Sequence, residues 1–98
     1  MKIQVTEIAR TFGRQTRAYA EYRIFSSLAR FSIVQEATVS LTPDDRGRTV
    51  VCSVVVGLDR GMSVRVSARG RHAYDAVNRV AQRIGPAVRR RTAVALTA

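Results

Sequence analysis

The sequence predicts an α+β fold of order β-α-β-β-β-α, a four-stranded sheet with two helices packed side by side on one face. Three observations carry this. Two segments of the 98-residue chain repeat apolar residues at three- and four-residue steps, whereas four others favour strand composition or alternation of period two. The order of the segments allows one crossover followed by a meander, which lets both helices cover the same side of the sheet. Nearly all of the formal +10 charge falls on the two helical segments. From Arg10 to Arg30 there are five arginines and one acid, Glu21; from Arg71 to Arg91 there are six arginines and one acid, Asp75.

The elements follow in order. Lys2 to Thr6 alternates, with Ile3 and Val5 on one side, as a short half-buried strand does. Glu7 to Gly13 is a connection. From Arg14 to Phe31, Ala18, Tyr22, Phe25 and Ala29 form a stripe at helical spacing, with Leu28 beside it and Ala20, Ile24 and Phe31 on its flanks. Val34 to Thr42 is a strand with Ala37, Val39 and Leu41 facing one way. Pro43-Asp44-Asp45-Arg46-Gly47 has turn chemistry: proline presets φ, aspartate caps, glycine accepts a left-handed backbone. Arg48 to Leu58 is the most β-rich run and reads as a central strand. Asp59-Arg60-Gly61 closes a hairpin. Met62 to Arg69 alternates, with Met62, Val64, Val66 and Ala68 inward and Ser63, Arg65, Ser67 and Arg69 outward.

The last helix is expected from Arg71 to Arg91, with an apolar stripe of Tyr74, Val77, Val80, Ala81, Ile84 and Val88. Arg79, Arg83 and Arg90 line another face. Pro86 offers no N–H to the carbonyl of Gln82, so a kink or break is expected at Gly85-Pro86. Residues 1–91 form one domain in this reading, and 92–98 are an uncharged, frayed tail. The expected inward-facing helical residues include Phe25, Leu28, Tyr74, Val77 and Ile84.

Composition narrows the functional classes. Ninety-eight residues support one modest core. No apolar run reaches the roughly 20 residues that span a bilayer, and the N-terminus lacks the apolar region of a secretory signal. A single cysteine, Cys52, fits a cytoplasmic location and reads as a packed thiol. Sixteen of the seventeen basic residues are arginine, whose planar fork grips phosphates; GC-rich codon usage gives the same bias.

The chain also resembles a known family, the hibernation-promoting factors and ribosome-associated inhibitor A of bacteria. The resemblance runs through Met1-Lys2-Ile3-Gln4-Val5-Thr6 and Ser27-Leu28-Ala29-Arg30-Phe31. It is clearest in Val64-Arg65-Val66-Ser67-Ala68-Arg69-Gly70-Arg71-His72-Ala73-Tyr74-Asp75-Ala76-Val77, where the family has a last strand, a glycine and the start of its second helix. The resemblance implies the same β-α-β-β-β-α fold, related in layout to double-stranded RNA-binding domains. It also implies a site on the small ribosomal subunit, in the channel used by mRNA and tRNA. Arg83 and Arg90 fall where the family has second-helix lysines, and Arg30 on the basic position of the Leu-x-Arg-Phe stretch. Pro86, Ile24, Ser27 and His72 depart from the pattern. The family's long members carry a C-terminal dimerisation domain, and this sequence reads as the short form.

Each signal has a plainer reading. A basic helix face is often only a solvated face; two adjacent ones in a +10 protein point to a polyanion. Tyr19, Tyr22 and Tyr74 read as core or rim residues, with base stacking as the alternative. His72 has no cysteine or carboxylate cluster at ligand spacing, so no metal and no cofactor is expected. Nothing assembles a nucleophile with a base, so no enzyme and no small-molecule substrate is expected. The sequence therefore reads as a translation-silencing factor of the stress-response type. Its candidate RNA-binding residues are Arg14, Arg17, Arg23, Arg30, Arg71, Arg79, Arg83, Arg89, Arg90 and Arg91, and its partner is small-subunit rRNA. A protein-interaction or self-assembling module with an acidic partner, and a general double-stranded RNA binder, are the alternatives.

Overall fold

Alternating apolar residues dictate the sheet, and its register turns that alternation into continuous inward rows. In the computed structural model, which describes residues 1–7, 12–44 and 46–97 (side chains of 7 and 94–97 excepted), the elements follow the expected order. They are β1 (Lys2–Glu7), α1 (Arg14–Leu28), β2 (Val34–Pro43), β3 (Val50–Leu58), a 3₁₀ turn (Asp59–Gly61), β4 (Ser63–Gly70) and α2 (Ala73–Thr97). The strands lie in the order β1-β2-β3-β4. β1 runs parallel to β2, as a helical crossover requires, and the other two pairings are antiparallel. Opposed residues share a face, so Val5, Val39, Val54 and Val66 make one inward row, and Ile3, Ala37, Val56 and Val64 the next. The other face carries Gln4, Thr38, Ser40, Ser53, Ser67 and Arg65, with a Ser53–Ser67 hydroxyl contact of 2.8 Å.

Both helices close the inward face. Ala20, Ile24 and Leu28 of α1 and Val77, Val80, Ile84 and Val88 of α2 join the buried strand residues in one core. α2 matches its sequence reading in Val77, Val80, Ala81, Ile84 and Val88, all buried. α1 does not. Its buried face is Ala20-Ile24-Leu28, the set read as flanking or adjacent, while Tyr22 is 66% and Phe25 49% exposed. Phe25 and Tyr74 were expected inward; both are exposed. For Tyr74 the cause is its position at the edge of α2, where its ring lies 4.7 Å from that of Tyr19. For α1 the cause is competition between two apolar stripes; the narrower aliphatic one fits between β1, β2 and α2.

The start of α2 is built more tightly than its composition suggests. His72 Nδ1 accepts from the N–H of Asp75 (3.3 Å), and Asp75 Oδ2 accepts from the N–H of Arg71 (3.1 Å). This is a reciprocal cap in the manner of a capping box. Gly70 permits it: a β-carbon there would lie 2.8 Å from Asp75 Oδ2 and would collide with the backbone nitrogen of Ala76. The helix then runs unbroken through Pro86 to Thr97, past the expected end at Arg91 and without the expected break. Pro86 is exposed, as is Gln82, whose carbonyl it leaves without an N–H. Water can serve that carbonyl, while Ile84 and Val88 hold the segments on either side against the core.

The turns follow their composition. Asp44 accepts the N–H groups of Arg46 and Arg48 and the hydroxyl of Thr49 (3.1, 2.8 and 2.7 Å). Gly47 takes φ +68°. In the β3–β4 turn Arg60 and Gly61 both adopt left-handed backbone, at φ +64° and +75°. Cys52 is buried at the centre of β3, where burial pushes its thiol up to about 12.

Candidate nucleic-acid interface

The two basic helices lie against each other, joined by a polar bridge that no periodicity announces. Asn78 Oδ1 on α2 accepts from the Tyr19 hydroxyl and from Arg23 Nε (3.0 Å), both on α1. A single neutral side chain thus holds an arginine and a tyrosine across the seam. Asn78 lies at the edge of the α2 stripe and has no motif around it, so only tertiary structure reveals it.

Helical periodicity sorts the arginines into groups. Arg79, Arg83 and Arg90 recur at steps of four and seven and therefore share one flank of α2. That flank is the side toward β4, since Arg83 Nη1 reaches the carbonyl of Ser67 at 3.5 Å. Arg89 lies on the α1 side instead, where it and Arg30 line a common cleft of about 400 Å³ with Phe31, Ile33 and Thr92. Arg30 stands 5.2 Å over the Phe31 ring and borders Gly85 of α2. Arg23, Arg30 and Arg89 thus belong to the seam, and Arg79, Arg83 and Arg90 to the far flank of α2. The single ridge expected from sequence resolves into two lines, separated by the outer surface of α2 with Gln82 and Pro86. Arg14 and Arg17 lie in the first turn of α1, Arg71 precedes α2, and Arg91 lies in its C-terminal part, all exposed. Arg10, part of the first basic segment, lies outside the described residues.

The field across this layer is positive because acids are scarce. Glu21 and Asp75 are the acids of the two helical segments, and Asp75 is committed locally. It pairs with Arg79 at 3.4 Å. Its carboxyl is held below its usual value, chiefly by the Arg71 N–H and further by Arg79, against a desolvation cost in the other direction. Among the described residues, Arg14, Arg89, Arg90 and Arg91 form no ion pair, and no group of His, Cys, Asp and Glu could hold a metal ion. No described helix is long and apolar enough to cross a membrane. Such an arrangement offers guanidinium groups to an extended anion.

The sequence matches no protein-family model and no curated protein. Solved structures do match. A ribosomal subunit interface protein from Coxiella burnetii superposes with a TM-score of 0.82 at 14% identity, over 95% of this chain and 99% of that one. The N-terminal domain of Protein Y from Thermus thermophilus superposes with a TM-score of 0.68 at 23% identity, over 91% and 93%. Over nearly its whole length, this chain has the fold of these two proteins.

Proposed function

We propose that this protein is a ribosome-associated translation-silencing factor of the hibernation-promoting factor and ribosome-associated inhibitor type. Its helical layer docks on small-subunit rRNA, with Arg23, Arg30 and Arg89 along the seam and Arg79, Arg83 and Arg90 along the α2 flank. Arg14, Arg17, Arg71 and Arg91 extend the positive surface. Silencing is steric: a bound domain occupies space that mRNA and tRNA need, and no bond is made or broken. The protein acts in the cytoplasm, where its partner is. One observation carries the reading. A helical layer with ten described arginines and two acids stands on a fold shared with a protein named for the ribosomal subunit interface.

The test is co-sedimentation with purified small subunits across a salt series. Each phosphate contact releases condensed counterions, so affinity falls steeply as salt rises. Replacing Arg83 and Arg90 by alanine weakens binding and lowers the salt slope by about one unit per arginine. Replacing Arg46 and Arg48, in the β2–β3 turn, does much less. Equal losses from the two pairs would mean diffuse attraction rather than a docked helical layer. Salt-insensitive binding would point to a protein partner, and full competition by bulk duplex RNA to a general double-stranded RNA binder.

A further inference from the structure

Among the described residues, the outer stripe of α1 stands outside the core. Ala18, Tyr22, Phe25 and Ala29 recur at steps of four, three and four, as regular as a buried stripe, yet they face outward. Tyr22 is 66% and Phe25 49% exposed, the two largest exposures among the described large hydrophobic side chains. They border a cleft of about 340 Å³ with Ile3 and Glu21. The other two tyrosines are engaged, Tyr19 with Asn78 and Tyr74 against Tyr19. Among the described residues, neither the Tyr22 nor the Phe25 side chain has a hydrogen-bond or ring partner.

Charge decides what covers these rings. At 100° per residue, Arg14 and Arg17 fall on one side of the stripe, and Arg23 and Arg30 on the other. A second copy would bring another +10 chain against these arginines. An unpaired nucleic-acid strand instead brings flat π-faces for the rings and phosphates for the arginines. Glu21, at the cleft rim, is an acceptor suited to a base amino group and repels a phosphate, which sets bases over the stripe and the backbone beside it.

We propose that Tyr22 and Phe25 form a stacking platform for unpaired bases of single-stranded RNA. The proposal rests on the nucleic-acid reading above and assigns α1 a contact chemically distinct from the phosphate contacts of α2. A protein with both would favour a junction where paired and unpaired RNA meet over either alone.

The probe is a ten-nucleotide unstructured RNA, titrated at low salt against the full chain. Tyr22→Ala and Phe25→Ala each weaken its binding by roughly five- to fifty-fold, with unchanged circular dichroism and a protein still fully folded at the assay temperature, since both rings are substantially exposed. The double replacement by leucine keeps apolar area but removes the rings, and falls as far as the double alanine variant. Tyr22→Trp supplies an emission that the oligonucleotide quenches on binding. Wild-type affinity in the alanine variants, recovery by leucine, or unquenched emission from an oligonucleotide-bound Tyr22→Trp protein would each overturn the platform. So would a wild-type dimer that the alanine pair converts to monomer, because the stripe would then be a self-association face. Ribosome co-sedimentation that stays sensitive to Arg83 and Arg90 while the platform fails would leave the silencing reading standing, so the two failures are distinguishable.

Discussion

The two helices are both basic, similar in apolar content and adjacent, yet the fold uses them differently. α2 is fixed to the sheet from its first turn to Val88: Val77, Val80, Ile84 and Val88 are buried, and its first turn is clamped against Gly70 at the end of β4. α1 enters the core through three residues, Ala20, Ile24 and Leu28, leans on α2 through Tyr19 and Arg23, and leaves its aromatic stripe outside. One helix is chiefly scaffold. The other is chiefly presentation surface. Apolar periodicity therefore shows that a helix is amphipathic without showing which of two stripes the core will take.

The sharpest way to break that contrast lies within α1. Ile24→Ala should destabilise the domain by about 2–5 kcal/mol, the usual range for deleting a fully buried aliphatic side chain. Its neighbour Phe25→Ala should cost about 1 kcal/mol or less, despite the larger side chain removed. Urea unfolding of both variants checks this, and a greater loss at Phe25 would return the outer stripe to the core.

A smaller effect separates the two glycines that border α2. Gly70→Ala forces a methyl into the cap of α2 and should cost about 1–3 kcal/mol. In Gly85→Ala the added methyl comes nearest to the tip of Arg30, at 3.4 Å, and lies at ordinary contact distance (3.8 Å) from the Phe31 ring and the Ser27 carbonyl oxygen. The gain in helix propensity should then stabilise the protein, by up to about 1 kcal/mol. Thermal midpoints moving in the same direction would mean that α1 and α2 are packed as rigidly as α2 and the sheet.

The smallest effect concerns acid. The Asp75 carboxyl titrates below its ordinary 3.8 in the folded chain, so its ionised form favours folding. That contribution is complete above the unfolded value and fades as pH falls through the folded one. Asp75→Asn should therefore flatten the loss of stability below about pH 4, while the similarly lowered Asp44 keeps its own share of the acid response in both proteins. A pH series of denaturant midpoints with parallel curves for wild type and variant would remove Asp75 from that account.

The sequence made the strands legible because a period of two leaves one choice of inward face once neighbouring strands agree; Ala37, Val39 and Leu41 against Val56, Val54 and Cys52 is such a case. α2 was legible for a related reason, since its arginines leave a single apolar arc. α1 was misread because its bulkiest residues, Tyr22 and Phe25, form the regular stripe that hydrophobicity ranks first. No break follows Pro86, because the hydrogen bond it forgoes would lie on the exposed side. The candidate arginines were all visible in the sequence. Their division between seam and flank was not, because it depends on Asn78 and on the β4 side of α2.

Arg83 links this surface to the integrity of the sheet. β4 is an edge strand, and its outward carbonyls are a template on which another extended chain could pair. The guanidinium resting on the Ser67 carbonyl occupies one of those acceptors and puts a cation where an incoming strand would lie. The side chain proposed to reach for phosphate thus also stands guard over the edge. An anion that drew it away would uncover the acceptor, and a substitution that removes it uncovers the acceptor permanently. Solubility is thus part of what an Arg83 variant changes, alongside the RNA affinity proposed for it.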